Sequence, residues 1–425
     1  MTTTSMKAVL AGLGLAVALM GCSAPEPAST DADAGTIEGT AVDAERGAQE
    51  QEAASDPASA ADGAYTAQVT ELSGVSGGVF SAADLFTERD LTQNADLSNA
   101  VYHTLQDGQD ITITDEGVYV IQGAATDVTI YVEAEDTDKV QIVLDGVSIV
   151  NDDAPAIYVR SADKVFVTTA ESSSNELSVT GTFVADGDAN PDAVIFSKDD
   201  LVINGMGTLS ISSTDNGISC KDDLKITGGT LVIDCASDAL EANDSVRIAG
   251  GSIALATPKD GIHAEYDEDD SVGYVYICGG TLSIEAGDDG IHATTYVQID
   301  GGTVDISAAE AVEATYVQIN GGTVGIAATD DGINASYKSD SMGAPILEIN
   351  GGELTVSMAQ GDTDALDSNG YLSINGGTVD ISAQFAFDFE LGAELNGGTV
   401  YVNGEQVYEI TDSMMGGPGM GGPGF

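Results

Sequence analysis

The chain has 425 residues, with Lys+Arg 12 against Asp+Glu 70 and a formal net charge of −58 at pH 7. So acidic a surface repels a polyanion, which excludes a nucleic-acid binder that works by phosphate neutralisation, and it equally excludes a polybasic membrane-surface protein. Cations, neutral polymers and anionic polymers bridged by cations remain as partners, while 42% hydrophobic residues, 52 Gly and no Trp suit a narrow, strand-rich core with many tight turns.

In chain order, residues 1–22 read as a targeting segment. Lys7 is its only positive charge, and the apolar and glycine run Ala8 to Met20 is too short to span a bilayer. The run ends in Leu19-Met20-Gly21-Cys22, which resembles a bacterial lipoprotein lipobox. That resemblance implies a diacylated Cys22 as mature N-terminus, and so a chain lipid-anchored at the extracellular face of the bacterial cell membrane, touching membrane only there. An ordinary secretory signal with a chance Cys is the alternative. Residues 23–65, rich in Ala, Asp, Glu, Ser, Thr and Pro, cannot bury a core and read as a disordered acidic linker. Residues 66–117 carry weaker, mixed patterns and are expected to form an N-terminal cap. Residues 411–425, with "MMGGPGMGGPGF", read as a flexible tail.

Between cap and tail lies a repeat. Gly-Gly pairs begin at Gly228, Gly250, Gly279, Gly301, Gly321, Gly351, Gly376 and Gly397, at intervals of 22, 29, 22, 20, 30, 25 and 21. Such a period marks a solenoid. In "YVQIDGGTVDIS" the apolar Val297, Ile299, Val304 and Ile306 alternate with polar residues, so the units are strands. Each unit holds three short strands, such as "GIHA", "YVQI" and "TVDI", separated by corners. The Leu-x-x-Leu-x-Leu frame of leucine-rich repeats is missing. An all-β, single-stranded parallel β-helix over residues 118–410 fits best.

Stacked coils put equivalent positions about 4.8 Å apart. Aligned on the Gly-Gly pairs, one column reads Asn216, Asp238, Asp260, Asp289, Glu310, Asp331 and Asp364. Three residues on, a second reads Ser219, Glu241, His263, His292, Glu313, Asn334, Asp367 and Asp388, and Glu265 lies close by. Carboxylates stacked so closely repel unless they hold protons or cations. Clustered oxygen ligands favour Ca²⁺ over zinc or copper, against the alternative of a merely solvating acidic face. The expected metal ligands are Asp238, Glu241, Asp260, Glu265, Asp289, Glu310, Glu313, Asp331, Asp364 and Asp367. His263 and His292 stand in adjacent coils, either as a transition-metal pair or as stacked rings bonded to neighbouring carboxylates.

A third column, Tyr274, Tyr296, Tyr316, Ile346 and Tyr371, has outward parity. Its four tyrosines form either a strip on which sugar rings stack or a ladder that stabilises the sheet. Asn320, Asn350, Asn375 and Asn396 are corner residues with no binding role. Cys220, Cys235 and Cys278 read as small buried fillers.

The lipobox, the acidic spacer, "FTERDL", "GVYVIQG", "KVQIVLDGVSIVNDDAPAIYV", the "DGIHA" and "INGGTV" units and the Gly-Met-Pro tail together resemble the bacterial cell-surface carbohydrate-binding domain family that binds cellulose and pectin-type polysaccharide, over roughly residues 75–425. The resemblance implies a right-handed, pectate-lyase-like parallel β-helix with bound Ca²⁺ and affinity for acidic polysaccharide such as polygalacturonate. It carries calcium onto Asp238, Asp260, Asp289, Glu310, Asp331 and Asp364, although Glu310 and Asn334 depart from the plain Asp-Gly-Ile-His pattern. Non-catalytic polysaccharide binding through bridging calcium is the leading reading. The rivals are a calcium-dependent lyase with Lys259 as its best-placed base, a glycosidase using paired carboxylates, and a passive stalk or adhesin.

Overall fold

The structure, a computed structural model, describes residues 78–412 except 267, 268, 340 and 362. The expected acyl site at Cys22, the acidic linker and residues 413–425 of the tail lie outside them. The described residues form 36 strands and two four-residue helices, Ala82–Leu85 and Glu88–Leu91. Each repeat contributes three strands, for example Asp289–Ala293, Tyr296–Ile299 and Thr303–Ala308. Each of these pairs in parallel with its equivalent in the next repeat: His292 opposite Glu313, Tyr296 opposite Tyr316, Val304 opposite Val324.

Three ladders result. The first is a 12-stranded parallel sheet running from Ile111–Ile113 to Phe385–Phe389. The second and third belong to one 24-stranded sheet, joined where the long strands Gly117–Thr126 and Lys139–Asn151 run through both. Among the described strands one pairing is antiparallel: Thr399–Val402 folds back on Glu405–Val407 at the end of the stack.

The alternation in "YVQIDGGTVDIS" delivers the core. Val297, Ile299, Val304 and Ile306 are all buried within one continuous apolar cluster, each burial contributing about 1.5–3 kcal/mol. The corners need glycine for two reasons. Gly280 has φ +87°, and a Cβ on Gly279 would stand 2.3 Å from the carbonyl oxygen of Ala249 in the repeat before. Beside these corners an amide ladder runs along the stack: Asn350 donates to Asn320 at 2.9 Å, Asn375 to Asn350 at 2.7 Å and Asn396 to Asn375 at 3.0 Å. The three described cysteines are buried and free, as small fillers should be.

The N-terminal segment departs from expectation in two ways. Pairing begins at Val101–Thr104, opposite Tyr119–Gln122, rather than near Val118. These first strands lack the Gly-Gly corner that marks later repeats. Residues 78–97 do not close an end. They lie as a strap along the outer face of the second ladder. Gln298 holds both sides of the Phe80 peptide, accepting its N–H at 2.8 Å and donating to its carbonyl at 3.0 Å. Asp90, with no exposed surface, faces the ammonium groups of Lys164 and Lys225 at 3.4 Å each. Gln93 accepts from the N–H of Gly205 at 2.9 Å and donates to the Thr227 carbonyl at 3.2 Å. The strap therefore buries outward-pointing residues of the second ladder, including Tyr276 and Gln298.

Candidate polysaccharide face

The first ladder puts the second predicted column in register without a gap. Ser219, Glu241, His263, His292, Glu313, Asn334, Asp367 and Asp388 are successive Cα partners. The apolar residue before each, from Ile218 to Phe387, points into the core. The other column is held by its own side-chain oxygens. Asn216 Oδ1 accepts the N–H of Asp238 at 2.9 Å, Asp238 Oδ1 that of Asp260 at 3.2 Å, and Asp260 Oδ1 that of Asp289 at 3.0 Å. Asp331 does the same for Asp364 at 3.0 Å. One oxygen of each such side chain thus satisfies a backbone donor that the corner would otherwise leave unpaired.

The remaining oxygens make the chemistry, which changes along the stack. Near Asp260 the countercharge is built in. His263 Nδ1 lies 2.7 Å from Asp260 Oδ2 and its Nε2 lies 2.9 Å from Glu265, a residue otherwise exposed. Burial opposes a charge on this ring, but Asp260, Glu265 and Asp238 outweigh it and push the imidazole up to about 9. A protonated ring has no lone pair for a metal. His292 stacks on it at 4.8 Å between centroids, with 9° between planes, and bonds Asp289 Oδ2 at 2.8 Å. The bonded stack is therefore the arrangement observed for these two histidines. Glu241 is likewise engaged, by Asn216 at 2.6 Å and Lys221 at 2.8 Å.

Further along, the acids face one another. Ligand atoms of Asp289, Glu310 and Glu313 lie within 4.8 Å of each other, an all-oxygen group that suits a hard cation. Burial first, then the charges of Glu313, Asp289 and Asp331, lift Glu310 to about 7. Burial and then Asp331, Asp388 and Asp364 lift Asp367 to about 7. Two further groups, Asp238 with Asp260 and His263, and Asp260 with Asp289 and His292, meet the same distance criterion. In the first the His263 imidazole already occupies the place of a cation, and in the second Asp260 and Asp289 are bonded to His263 and His292. Of the expected metal ligands, Asp289, Glu310 and Glu313 form the all-oxygen group, in which Asp289 also bonds His292 at 2.8 Å and Glu313 also pairs with Lys338 at 2.6 Å; Asp331, Asp364 and Asp367 form a second acidic knot, and Asp238, Glu241, Asp260 and Glu265 are committed to His263, Lys221 and Asn216.

Upstream, the same column carries residues that the sequence reading missed: Tyr131, Tyr158 and Phe196 precede Ser219 in register. Arg160 covers the two tyrosines, 4.0 Å from the Tyr131 ring centroid and 5.0 Å from that of Tyr158, and Lys221 lies 5.5 Å from the Phe196 centroid. Beside them an open trough of 700 Å³, lined by Asn190, Asp192, Lys198 and Lys221, runs into a second of 660 Å³ lined by Asp215, Glu241, His263 and Tyr266. The sequence profile of the family described as "Carbohydrate-binding domain-containing protein" matches residues 107–364 and 308–407, well over half of the chain. The chain belongs to that family. A relative from Acetivibrio thermocellus, also described as a carbohydrate-binding domain-containing protein, is 36% identical over 124 residues, which is 28% of this chain and 43% of that protein. The chain thus spans less than half of that family member's length. A solved structure of the polysaccharide lyase-like protein from C. thermocellum, a gadolinium derivative, aligns with 71% of this chain and 96% of its own at 25% identity, with a TM-score of 0.41.

In this family member the expected outward strip of tyrosines is mostly not a surface. Tyr274 is buried beneath Phe80, whose ring stacks on it at 4.2 Å. Tyr296 is half-buried against the same Phe80, with ring centroids 5.5 Å apart. Tyr316 gives its hydroxyl to Glu348 at 2.7 Å. Tyr371 alone of the four is exposed. The parity was read correctly, but the strap covers that side. The tyrosines also stand on the second ladder, while the acids stand on the first.

Proposed function

We propose that this carbohydrate-binding-domain chain is a cell-surface lipoprotein, anchored through Cys22, that binds acidic polysaccharide of the polygalacturonate type along its first ladder without cleaving it, and that its three ladders wind as a right-handed parallel β-helix. The observation that carries the reading is the all-oxygen cluster of Asp289, Glu310 and Glu313, with ligand atoms within 4.8 Å and Glu310 raised to about 7. Acids so arranged gain from a divalent cation. Asp289, Glu310 and Glu313 would hold Ca²⁺, which supplies the positive charge that uronate carboxylates need on a −58 chain. The chain's own part is to fix the column in register and bring the carboxylates of Asp289, Glu310 and Glu313 together. From Ile157–Ser161 onward, pairing of each ladder strand with the third strand on supports the β-helix.

A lyase would need a base held against this column. Lys259, the best-placed lysine in the sequence, is more than half exposed and sits 3.6 Å from the equally exposed Asp288. Lys338 is held at 2.6 Å by Glu313. These pairings favour binding over elimination. The test is retention of the full chain on insoluble polygalacturonate and on cellulose, with calcium and with chelator. Chelator-sensitive retention on polygalacturonate is expected, with no rise in absorbance from unsaturated product. Equal retention with and without chelator would remove calcium from the account, and no retention on any polysaccharide would leave only a stalk.

A further inference from the structure

Sugar rings present apolar C–H faces, and the acidic stretch of the column, from Glu241 to Asp388, contains no phenyl or phenol ring for them to stack on. The two longest repeats, with 29 and 30 residues between Gly-Gly pairs, differ from the others by a loop between their first and second strands. One loop follows Ile262–Ala264 and the other follows Ile333–Ala335. Each loop places a tyrosine two residues past its strand, Tyr266 and Tyr337, and so three residues past the column members His263 and Asn334. Tyr337 is 54% exposed. Tyr266 lines the 660 Å³ trough together with Glu241, His263 and Glu265.

Both tyrosines stand on anchored backbone. The N–H of Tyr266 donates to Thr294 Oγ1 at 3.2 Å, and those of Lys338 and Ser339 donate to Thr315 Oγ1 at 3.2 and 3.0 Å. Ser339 Oγ donates to Asp270 Oδ1 at 2.5 Å, tying the second loop to the first across the two short repeats between them. Three register steps separate His263 from Asn334, through His292 and Glu313. At about 4.8 Å per step that is roughly 14 Å, the span of a few pyranose units along an extended chain.

We propose that Tyr266 and Tyr337 are the sugar-stacking residues of this face. They are two phenol platforms three repeats apart, which a single polysaccharide chain running along the column meets at once, with the acids of the column between them. This rests on the polysaccharide-binding reading above and adds to it the path of the glycan, parallel to the stack, and a minimum length for tight binding. Tyrosine suits the task because its ring stacks while its hydroxyl reaches the sugar's own hydroxyls.

The chain contains no Trp, so a single tryptophan is an unobstructed reporter. Tyr266→Trp and Tyr337→Trp, each in the full chain with calcium, should both shift their emission to the blue on addition of polygalacturonate. Tyr266→Ala and Tyr337→Ala should each weaken binding of polygalacturonate about tenfold, with melting temperatures unchanged, and the Phe variants should retain most of it. In the double Ala variant the polymer should bind no more tightly per site than digalacturonate, which is too short to reach both rings. Wild-type binding with silent tryptophans and undiminished Ala variants would overturn this inference and leave the binding function standing. If the wild type binds neither polygalacturonate nor cellulose, the function itself fails. The tryptophan reporters decide the matter even if an Ala variant misfolds.

Discussion

The two faces of the stack solve the same electrostatic problem in opposite ways. On the second ladder, under the strap, charges are matched. Asp90 is enclosed between Lys164 and Lys225, and Arg247 meets Asp223 at 2.6 Å. On the first ladder, from Asp289 onward, acids outnumber their partners: Lys338 and His292 both lie against Glu313, while burial and neighbouring carboxylates raise Glu310 and Asp367 to about 7. Burial explains both. A fully enclosed carboxylate must bring its cation with it, whereas a column open on one side can take a cation from solution. The strapped part of the second ladder is completed by its own chain, whereas the first ladder keeps unmatched acids.

Breaking the matched face should give the largest effect. Asp90→Ala leaves Lys225 enclosed without its acid and Lys164 with Asp200 alone, and should cost about 3–5 kcal/mol in denaturant unfolding. A loss below about 1 kcal/mol would mean that the ions do not hold the strap. The same group sets a pH dependence. Burial works against its charge, but Lys225, the Thr87 N–H and Lys164 outweigh it and hold its carboxyl below the ordinary aspartate value. Its contribution to stability is therefore fully present above that ordinary value and is lost as the pH falls through the lowered one. Asp90→Asn should flatten this acid limb of the stability curve.

The open face should give the next effect. Calcium at about 100 times its dissociation constant should stabilise the chain by about 2.7 kcal/mol, and chelator should reverse this in a calorimetric melt. Glu310→Gln with Glu313→Gln should abolish the response; a persistent response would move the ion to the Asp331–Asp364–Asp367 knot. Phe80→Ala, which uncovers Tyr274, should cost about 2 kcal/mol and leave polygalacturonate retention unchanged. Reduced retention would return the second ladder to the binding surface. The smallest change is expected for Lys259→Ala, within about 0.5 kcal/mol and with no effect on retention.

The repeating half of the chain was legible because parallel pairing converts sequence periodicity directly into columns. From Ser219 to Asp388, counting from Gly-Gly corners found every register partner. The same count could not reach Tyr131, Tyr158 and Phe196, because the early repeats have no Gly-Gly pair from which to count. Nor could it show that Tyr274 is covered. The contact that buries it joins residues 194 positions apart in the chain, 80 and 274, and the covering segment has no periodicity of its own. The roles of His263 and Lys338 depended on side-chain partners two or three residues along or one strand away, and a column read from sequence gives position but not protonation or pairing.

The backbone hydrogen bonds of the aspartate column set a limit on what that column can grip. With one oxygen of Asp331 already accepting the next strand's N–H, an incoming ion would meet that residue through a single oxygen, while at Asp238 and Asp260, tied to the backbone in the same way, the second oxygen faces His263. Coordination so thin leaves room for water and for acids carried by a passing glycan. An ion so held would exchange readily, and under the proposed function the strength of attachment to the polymer would rise and fall with the calcium in the surrounding medium.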